Sequence, residues 1–506
     1  MPPRKPKSTS TPNSKPGSGE RPKRGLDAMH RSVLALPLIQ FIANGEADQL
    51  YPIIIDINWR FVGGRPAAKS KIKKLLEDIL KGQGPDVKGN LIDERKSELT
   101  DQYIFAQLQE SIIRELINQD RSEGSGENAI YRVWPDFEVE RHISKSIVTI
   151  KADAVRNAFN ALGEGIVWAV MDSGVDKEHP HFQKYSNLQL PAELAHEDFA
   201  APAGTSDSAC IDLYGHGTHV AGIIAGEPNP RTGGYTAIVQ SRPDGSTSQY
   251  QPMPIATISG MASKTKILSV RVLDENGKGS VSNIIAGIAY IQKLNADGRD
   301  IKVHGVNISV GYGFDPEWFA CGHSPLCVEV DRLVKSGVLV VVSSGNTGRG
   351  VVNVDDVMKP TYLEGTINDP GNAQYAITVG STHKEMPHTY GVSFFSSKGP
   401  TGDGRRKPDL IAPGERIISC AAGSKKQAVQ KEVPQASFDY IEDTGTSMAA
   451  PHVSGALAAF LSVRREFIGR PEEVKEIFLK SATDLGRDSY FQGSGLVDVM
   501  RAIQSV

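Results

Sequence analysis

Three short segments each place a reactive side chain among small residues. Asp172 follows an apolar run in WAVMDSGVD, His216 lies between two glycines in LYGHGTHVAG, and Ser447 precedes an alanine-rich stretch in DTGTSMAAPHVSGALAAF. A serine hydroxyl becomes a good nucleophile only when an imidazole accepts its proton and a carboxylate fixes the imidazole tautomer. These residues, in the order Asp, His, Ser, therefore predict nucleophilic catalysis by a triad.

Each of the three residues also has a purely structural interpretation. An aspartate after a strand is often a turn former, a histidine between glycines can be structural, and a serine at a helix start is often an N-cap. Taken singly, these interpretations are favoured. Taken together they fail, because three independent caps would not fall into such extended contexts in this order.

The elements around these residues alternate between apolar strands and helices. The segments GIVWAVM, KILSVRVL, GVNISV and VLVVVSS have the pattern of strands, and HGTHVAGIIAG and SVSNIIAGIAYIQKL have the pattern of helices. Continuous apolar strands between helices predict a mostly parallel α/β sheet with helices on both faces, over residues 146–506. Chemistry in such sheets lies at the carboxyl ends of strands, which is where we expect the triad.

A different pattern precedes this domain. Residues 26–145 predict a small α+β domain, with strands in YPIIIDINWRF, QYIFAQL and AIYRVWPDFEV and helices in AAKSKIKKLLEDILK and ESIIRELINQ. Residues 1–25 carry seven Lys or Arg against one Glu, together with six Pro, which predicts a disordered basic tail. The tail is either a solvated leader or a contact for an acidic partner.

Composition excludes several classes of protein. Of 506 residues, 39% are hydrophobic and 23% charged, which is typical of a globular chain. The net charge of −3 argues against a nucleic-acid partner. Four cysteines are too few for a disulfide scaffold, and none forms a CxxC pair. No apolar run reaches the roughly 18 residues of a membrane span, and no apolar signal-peptide core closely follows the basic N-terminus, so the sequence predicts a cytoplasmic protein without a membrane partner.

The chain resembles the subtilases, the subtilisin-like serine proteases, from about residue 150 to 505. The segments DSGVDKEHPHF, HGTHVAG and GTSMAAPHVSG are similar to the family's aspartate, histidine and serine motifs, and VRVLDENGKGSVSNIIAGI, VNISVG, VVVSSGN and KPDLIAPG add further matches. The resemblance implies a subtilisin-like fold and a serine endopeptidase with Asp172, His216 and Ser447 as its triad. Polypeptides would be its substrates.

Three rival classes are less consistent with these residues. An α/β-hydrolase esterase carries GxSxG and orders its triad Ser, Asp, His. A catalytically silent relative acting as a binding module would not be expected to keep an intact triad. A zinc protease of the HExxH type lacks its motif here.

The resemblance also implies further site residues. Asn346 in SSGN matches the family's oxyanion asparagine, with the backbone N–H of Ser447 as second donor; its alternative role is that of a turn residue. Substrate peptides would bind as an added strand between two edges, where glycines let a second backbone approach. The matching edge residues are Gly277, Lys278, Gly279, Ser309, Val310 and Gly311.

The domain over residues 26–145 is similar in position and element order to the family's inhibitory propeptide. The resemblance implies a self-processing zymogen whose propeptide is an intramolecular inhibitor. The stretch from Glu138 to Thr149 contains no Gly or Pro, so we expect an extended segment that can be cleaved in the substrate cleft. The alternative is an unrelated regulatory or dimerisation domain.

Two departures from the family pattern concern metals. His181 stands where many subtilases have an aspartate calcium ligand, and an insertion over residues 227–258 replaces a short calcium loop. We therefore expect no required cofactor, and a structural calcium ion stays an alternative that these changes argue against. Cys321 and Cys327 could form a small disulfide loop, but reduced thiols are expected in the cytoplasm. With His323 they would lack an evident fourth metal ligand.

Overall fold

The computed structural model describes residues 28–46, 48–82, 89–122, 128–136, 145–201, 203–241, 249–315, 317, 320–354 and 357–506. The predicted basic tail, residues 1–25, lies outside the described residues. The chain divides into two compact units, Met1–Val139 and Glu140–Val506, called here the N-terminal and C-terminal units. Among the described residues, none of the helices has both the length and the apolar character needed to cross a bilayer.

The N-terminal unit is an α+β fold, as its sequence pattern predicts. Its four strands form an antiparallel sheet in the order β2-β3-β1-β4. Alternate residues of β1 are buried beneath the helices, because successive side chains of a strand point to opposite faces. The elements are α1 Ala28–Val33, α2 Leu36–Asn44, β1 Leu50–Ile57, α3 Gly64–Gly82, β2 Leu91–Ile92, α4 Glu94–Glu98, β3 Tyr103–Gln109, α5 Glu110–Ser122 and β4 Ile130–Pro135.

The C-terminal unit holds the remaining elements. They are α6 Lys145–Thr149, α7 Ala152–Phe159, β5 Val167–Asp172, β6 Glu197–Asp198, α8 Ser206–Ala209, α9 His216–Ile224, β7 Tyr235–Ser241, β8 Gln249–Ile255, β9 Lys266–Arg271, α10 Val281–Leu294, β10 Gly305–Ile308, α11 Pro325–Lys335, β11 Leu339–Ser343, β12 Arg349–Val354, β13 Val357–Tyr362, β14 Ile377–His383, α12 Pro387–Tyr390, β15 Leu410–Glu415, β16 Ile417–Cys420, α13 Gly423–Glu432, β17 Tyr440–Asp443, α14 Thr446–Val463, α15 Pro471–Ser481, α16 Ser489–Gln492 and α17 Val499–Gln504.

Seven parallel strands form the central sheet of this unit, in the order β15-β14-β11-β10-β5-β9-β6. Strand β5 is buried on both faces, because Trp168 and Val170 pack into one apolar core while Ala169 and Met171 pack into the other. The strand order reverses beside β5, whose neighbours β9 and β10 follow it in the chain on opposite sides. Ligands of open α/β sheets bind at such a reversal, outside the carboxyl ends of the strands.

Two sequence predictions concern segments outside the central sheet. The insertion 227–258 contributes β7 and β8, which join β16 and β17 in a second sheet; residues 242–248 lie outside the described residues. The predicted extended segment Glu138–Thr149 is wrong in its second half, because Lys145–Thr149 is the helix α6. Residues 137–144 lie outside the described residues. Freedom from Gly and Pro therefore did not distinguish a strand from a short helix here.

Candidate active site

Asp172 and His216 form the inner half of the site. Asp172 is the last residue of β5, and His216 is the first residue of α9. The His216 ring atom Nδ1 lies 2.8 Å and 2.9 Å from the two carboxylate oxygens of Asp172, which is fully buried. Since a carboxylate only accepts hydrogen bonds, this contact fixes the proton on Nδ1 and leaves Nε2 as the acceptor.

The environment of His216 favours its protonated form. Burial by itself would lower the pKa of His216, but the charge and the hydrogen bond of Asp172 outweigh burial and raise it. The same attraction stabilises an imidazolium formed when His216 accepts a proton. The pair is therefore arranged to act as a general base.

A close approach of backbones brings α9 onto the end of β5. A Cβ atom on Gly217 would lie 2.2 Å from the carbonyl oxygen of Gly174 and 3.0 Å from the Cβ of Asp172. Only glycine fits at this position, so the glycine following His216 sets the separation between the helix and the carboxylate.

Asp212 is a buried carboxylate that the sequence analysis missed. It accepts hydrogen bonds from Ser173 Oγ (2.9 Å), Gly215 N (2.7 Å), Thr218 N (2.8 Å) and Thr218 Oγ1 (2.6 Å). These partners are neighbours of Asp172 and His216 in sequence. Asp212 therefore links the segment that carries Asp172 to the segment that carries His216. Its position four residues before His216 was the available signal.

Ser447 lies in the first turn of α14, the long buried helix of the unit. Its Oγ donates a hydrogen bond to the carbonyl oxygen of Ser309 (2.9 Å). Within the part of the chain that the structure describes, no hydrogen bond joins it to His216. Catalytic hydrogen bonds often form only when substrate is bound, so the serine has to turn from Ser309 towards the imidazole.

Pro451 leaves the backbone carbonyl of Ser447 without its usual donor within the helix. A proline has no N–H for the residue four positions earlier, so the Ser447 carbonyl is available to another donor. Ser309 Oγ donates to it at 3.0 Å. Ser309 in turn accepts from Asn307 Nδ2 (2.8 Å), and Ser454 Oγ donates to Asn307 Oδ1 (2.9 Å). This buried series of hydrogen bonds joins α14 to β10.

Asn346 lies after β11 and faces the start of α14. Its Oδ1 accepts hydrogen bonds from the backbone N–H and the hydroxyl of Thr446, both at 2.9 Å, which directs its Nδ2 away from Thr446. A Cβ atom on Gly445 would lie 3.4 Å from Asn346 Nδ2 and 3.7 Å from Ser447 N. The two N–H donors therefore flank one small space that the missing side chain leaves open.

The residues of the two predicted substrate edges lie in loops after β9 and β10. The N–H and C=O of Lys278 both bond to Asp274, whereas Gly279 makes no hydrogen bond within the described residues. The glycines have an internal reason as well: a Cβ on Gly277 would lie 2.6 Å from the Tyr214 ring, and one on Gly311 would lie 2.4 Å from Asp369 O. Close packing within the chain is thus sufficient to explain glycine at these two positions, whether or not a substrate binds there.

The surroundings of His181 do not fit a calcium ion. Its Nε2 lies 3.2 Å from the Gly222 carbonyl and its Nδ1 3.3 Å from the Tyr440 hydroxyl, in a cluster of aromatic rings. Burial lowers its pKa to about 3, so the ring is neutral. Calcium prefers several carboxylate and carbonyl oxygens. No group of three or more His, Cys, Asp or Glu with metal-binding geometry occurs among the described residues.

Cys321 and Cys327 are both buried free thiols rather than a disulfide. Burial raises the pKa of each thiol, which keeps both protonated and weakly nucleophilic. Neither belongs to the site built by Asp172, His216 and Ser447.

Comparison with known proteins identifies the family. The model of the subtilase family matches residues 163–495, about two thirds of the chain. The chain belongs to the subtilase family. This match confirms the predicted resemblance to the subtilases and the predicted α/β fold class. The protein is a subtilisin-like serine protease.

Several curated relatives are similar to this subtilase. It is 27% identical to Serine protease AprX of Bacillus subtilis (strain 168) over 361 residues, or 69% of each chain. It is 32% identical to the Major intracellular serine protease of the same organism over 319 residues, or 62% of this chain and 74% of the relative. The match to Pyrolysin of Pyrococcus furiosus, 32% identical, covers 58% of this chain but only 21% of that protein.

Proposed function

We propose that this subtilase is an endopeptidase that hydrolyses peptide bonds through an acyl-enzyme intermediate. The observation that carries the proposal is the space beside Gly445, which Asn346 Nδ2 and Ser447 N flank at 3.4 Å and 3.7 Å. Two N–H donors within 4 Å of one point, one of them the amide of the serine itself, suit the oxyanion of a tetrahedral intermediate. The hydrogen-bonded pair of Asp172 and His216 supplies the base.

In the proposed mechanism, Ser447 Oγ attacks the carbonyl carbon of the scissile peptide bond while His216 Nε2 takes its proton. The carbonyl oxygen becomes an anion that Asn346 and the Ser447 N–H stabilise. His216 then gives the proton to the leaving amine, the C–N bond breaks and an ester to Ser447 remains. Water attacks this ester by the same steps, which release the acid and restore the serine. Asp172 holds the imidazole throughout.

A serine-directed fluorophosphonate tests the assignment of the nucleophile. The reagent should label the purified protein once, on Ser447, because its phosphorus is attacked by the same hydroxyl that attacks a carbonyl. His216→Ala should nearly abolish labelling. Ser462→Ala, which removes the hydroxyl of another serine of α14, is a matched control and should label as wild type. Label on any other residue would contradict the proposal.

We also propose that the chain is a zymogen in which the N-terminal unit inhibits the C-terminal unit. The support is the separate compact fold of the N-terminal unit and its α+β element order, which is similar to the family's propeptides. Since α6 is helical and a bound substrate strand is extended, we place the cleavage before Lys145, within residues 138–144.

Expression of wild type beside Ser447→Ala tests self-processing. Wild type should yield a fragment that lacks the N-terminal unit, and the variant should remain full length. Because the cleaved segment is tethered, the rate should not depend on protein concentration. A full-length wild type that digests casein rapidly would contradict the zymogen proposal while leaving the nucleophile unaffected.

Polypeptides are the proposed substrates, and the propeptide is the proposed intramolecular inhibitor. One similar relative is named an intracellular protease, which supports the predicted cytoplasmic location. The absence of a required cofactor stays a prediction, and it is tested by chelation below.

A further inference from the structure

A β-hairpin follows shortly after Asn346, the candidate oxyanion residue. Its first strand, β12, begins three residues after Asn346, and β12 and β13 pair only with each other in the part of the chain that the structure describes. None of the site residues that the sequence predicts belongs to it. Two-stranded hairpins are marginally stable alone in water, which raises the question of what this one binds.

One face of the hairpin carries exposed apolar side chains. Val351, Met358 and Tyr362 are 57%, 64% and 62% exposed. Val351 is paired with Pro360, and Tyr362 with Arg349, so these residues share a face with Met358, the partner of Asn353. A continuous exposed apolar patch of this kind marks an interaction surface.

The free edges of the two strands differ. The Leu363 N–H donates to the Gly348 carbonyl (3.0 Å), which makes these two residues a hydrogen-bonded pair of the antiparallel ladder. Hydrogen-bonded and non-hydrogen-bonded pairs alternate along such a ladder. The pair of Val351 and Pro360 is therefore a non-hydrogen-bonded one. This pair thus directs its backbone groups outward. On β13, Pro360 has no N–H to offer and Lys359 adds a charge, features that block an edge. On β12, the N–H and C=O of Val351 have no hydrogen-bond partner among the described residues, so they are available to an added strand.

The base of the hairpin is fixed to the loop of Asn346. Lys398 is buried, and its ammonium donates to the carbonyl of Gly348 (3.3 Å) and lies 5.2 Å from the centre of the Tyr362 ring. Thr347 N also donates to Ser397 Oγ (3.1 Å). Strand β12 thus begins, and strand β13 ends, beside the part of the core that holds the loop of Asn346.

We propose that the paired strands β12 and β13 are a docking arm on which an extended, apolar segment of the polypeptide substrate adds to the edge of β12. The inference rests on the proposed endopeptidase function and adds a substrate class: unfolded polypeptides with apolar segments. We infer a substrate segment as the occupant because the free edge of β12 continues from the proposed substrate site. Strand β12 begins two residues after Thr347, and the site itself is proposed to bind a peptide as an added strand. A short peptide would bind the catalytic residues without reaching the arm.

Two variants of the full chain test this proposal. Val351→Ser with Met358→Ser removes the apolar face, and Val351→Pro removes an outward N–H without breaking a bond to β13. For reduced, carboxymethylated α-lactalbumin, each should lower kcat/KM about tenfold, mainly through KM, as truncation of a central contact does. For a tetrapeptide p-nitroanilide, kcat/KM should stay within about twofold. Lys359→Ser, on the opposite face, is the control and should match wild type with both substrates.

The remaining outcomes would each overturn the proposal. Unchanged cleavage of the unfolded protein would show that the arm does not bind substrate. Equal losses with both substrates would mean that the hairpin acts only by shaping the site. A wild-type dimer that becomes monomeric in Val351→Pro, seen by light scattering, would identify a second copy as the occupant. Failure of wild type to cleave either substrate would instead reject the endopeptidase function itself.

Discussion

The two halves of the site differ in how their polar groups are used. Asp172 and His216 are bonded to each other, and Asp212 holds their flanking segments through four hydrogen bonds. Ser447 and Asn346 belong to the other half, where the Ser447 N–H and the Asn346 Nδ2 have no partner among the described residues. The first half is complete before substrate arrives, and the second half keeps donors for the substrate.

The largest expected effect concerns the residues that move protons. Ser447→Ala and His216→Ala should each lower kcat about 10⁶-fold, the size measured in subtilisin, a member of this family. The reason is that Ser447→Ala leaves only water as a nucleophile and His216→Ala leaves the serine without a base. Casein assays at matched protein concentrations, measured by absorbance, give the rates. A Ser447→Ala variant that kept the wild-type rate would show that another residue is the nucleophile.

The carboxylate of the complete half should matter somewhat less. Asp172→Asn should lower kcat by about 10⁴-fold, because the amide no longer enforces the tautomer with Nε2 free. Asp172 raises the pKa of His216, and His216 acts only when neutral, so activity falls as the pH drops through that raised pKa. In Asp172→Asn the acid limb of the kcat/KM profile should therefore move to lower pH. A limb that stayed in place would assign it to another group.

The open half should show a smaller, purely catalytic effect. Asn346→Ala should lower kcat about 10²–10³-fold with little change in KM, because its amide binds the oxyanion more tightly than the ground-state carbonyl. Thr347→Ala, at the next position, is the control. A defect confined to KM would mean that Asn346 only positions substrate.

The support of the complete half can be tested separately. Asp212→Asn should lower kcat about tenfold without changing KM, because all four of its partners donate hydrogen bonds and an amide cannot accept from all of them. Asp488→Asn, which alters an aspartate that caps α16, is the control and should retain activity. If Asp212→Asn changed the melting temperature but not kcat, Asp212 would only stabilise the fold.

Metal removal should have the smallest effect. Excess EDTA should change the melting temperature by less than about 2 °C, a shift corresponding to less than ~2 kcal/mol in a chain of this size. His181 and its carbonyl and hydroxyl partners offer no calcium site. Magnesium-saturated EDTA controls for the chelator itself. A large destabilisation reversed by calcium would show that the insertion 227–258 has built another site.

The sequence determined the elements and the motifs. The apolar run of β5 and the helical pattern of α9 follow from local periodicity, and the segments around Asp172, His216 and Ser447 identify the family without any contact information. The α+β pattern of the N-terminal unit is equally local. Local propensity was insufficient at Lys145–Thr149, where a segment without Gly or Pro is a helix and not a strand.

The tertiary structure alone decided which polar groups are already used and which stay available. Ser309 and Ser447 are 138 residues apart, and Thr446 and Asn346 are 100 apart, yet their hydrogen bonds set the serine rotamer and the direction of the amide. The same holds for Lys398 beneath the paired strands β12 and β13. Such contacts depend on how the strands and helices pack, and a single sequence records the residue types but not the distances between them.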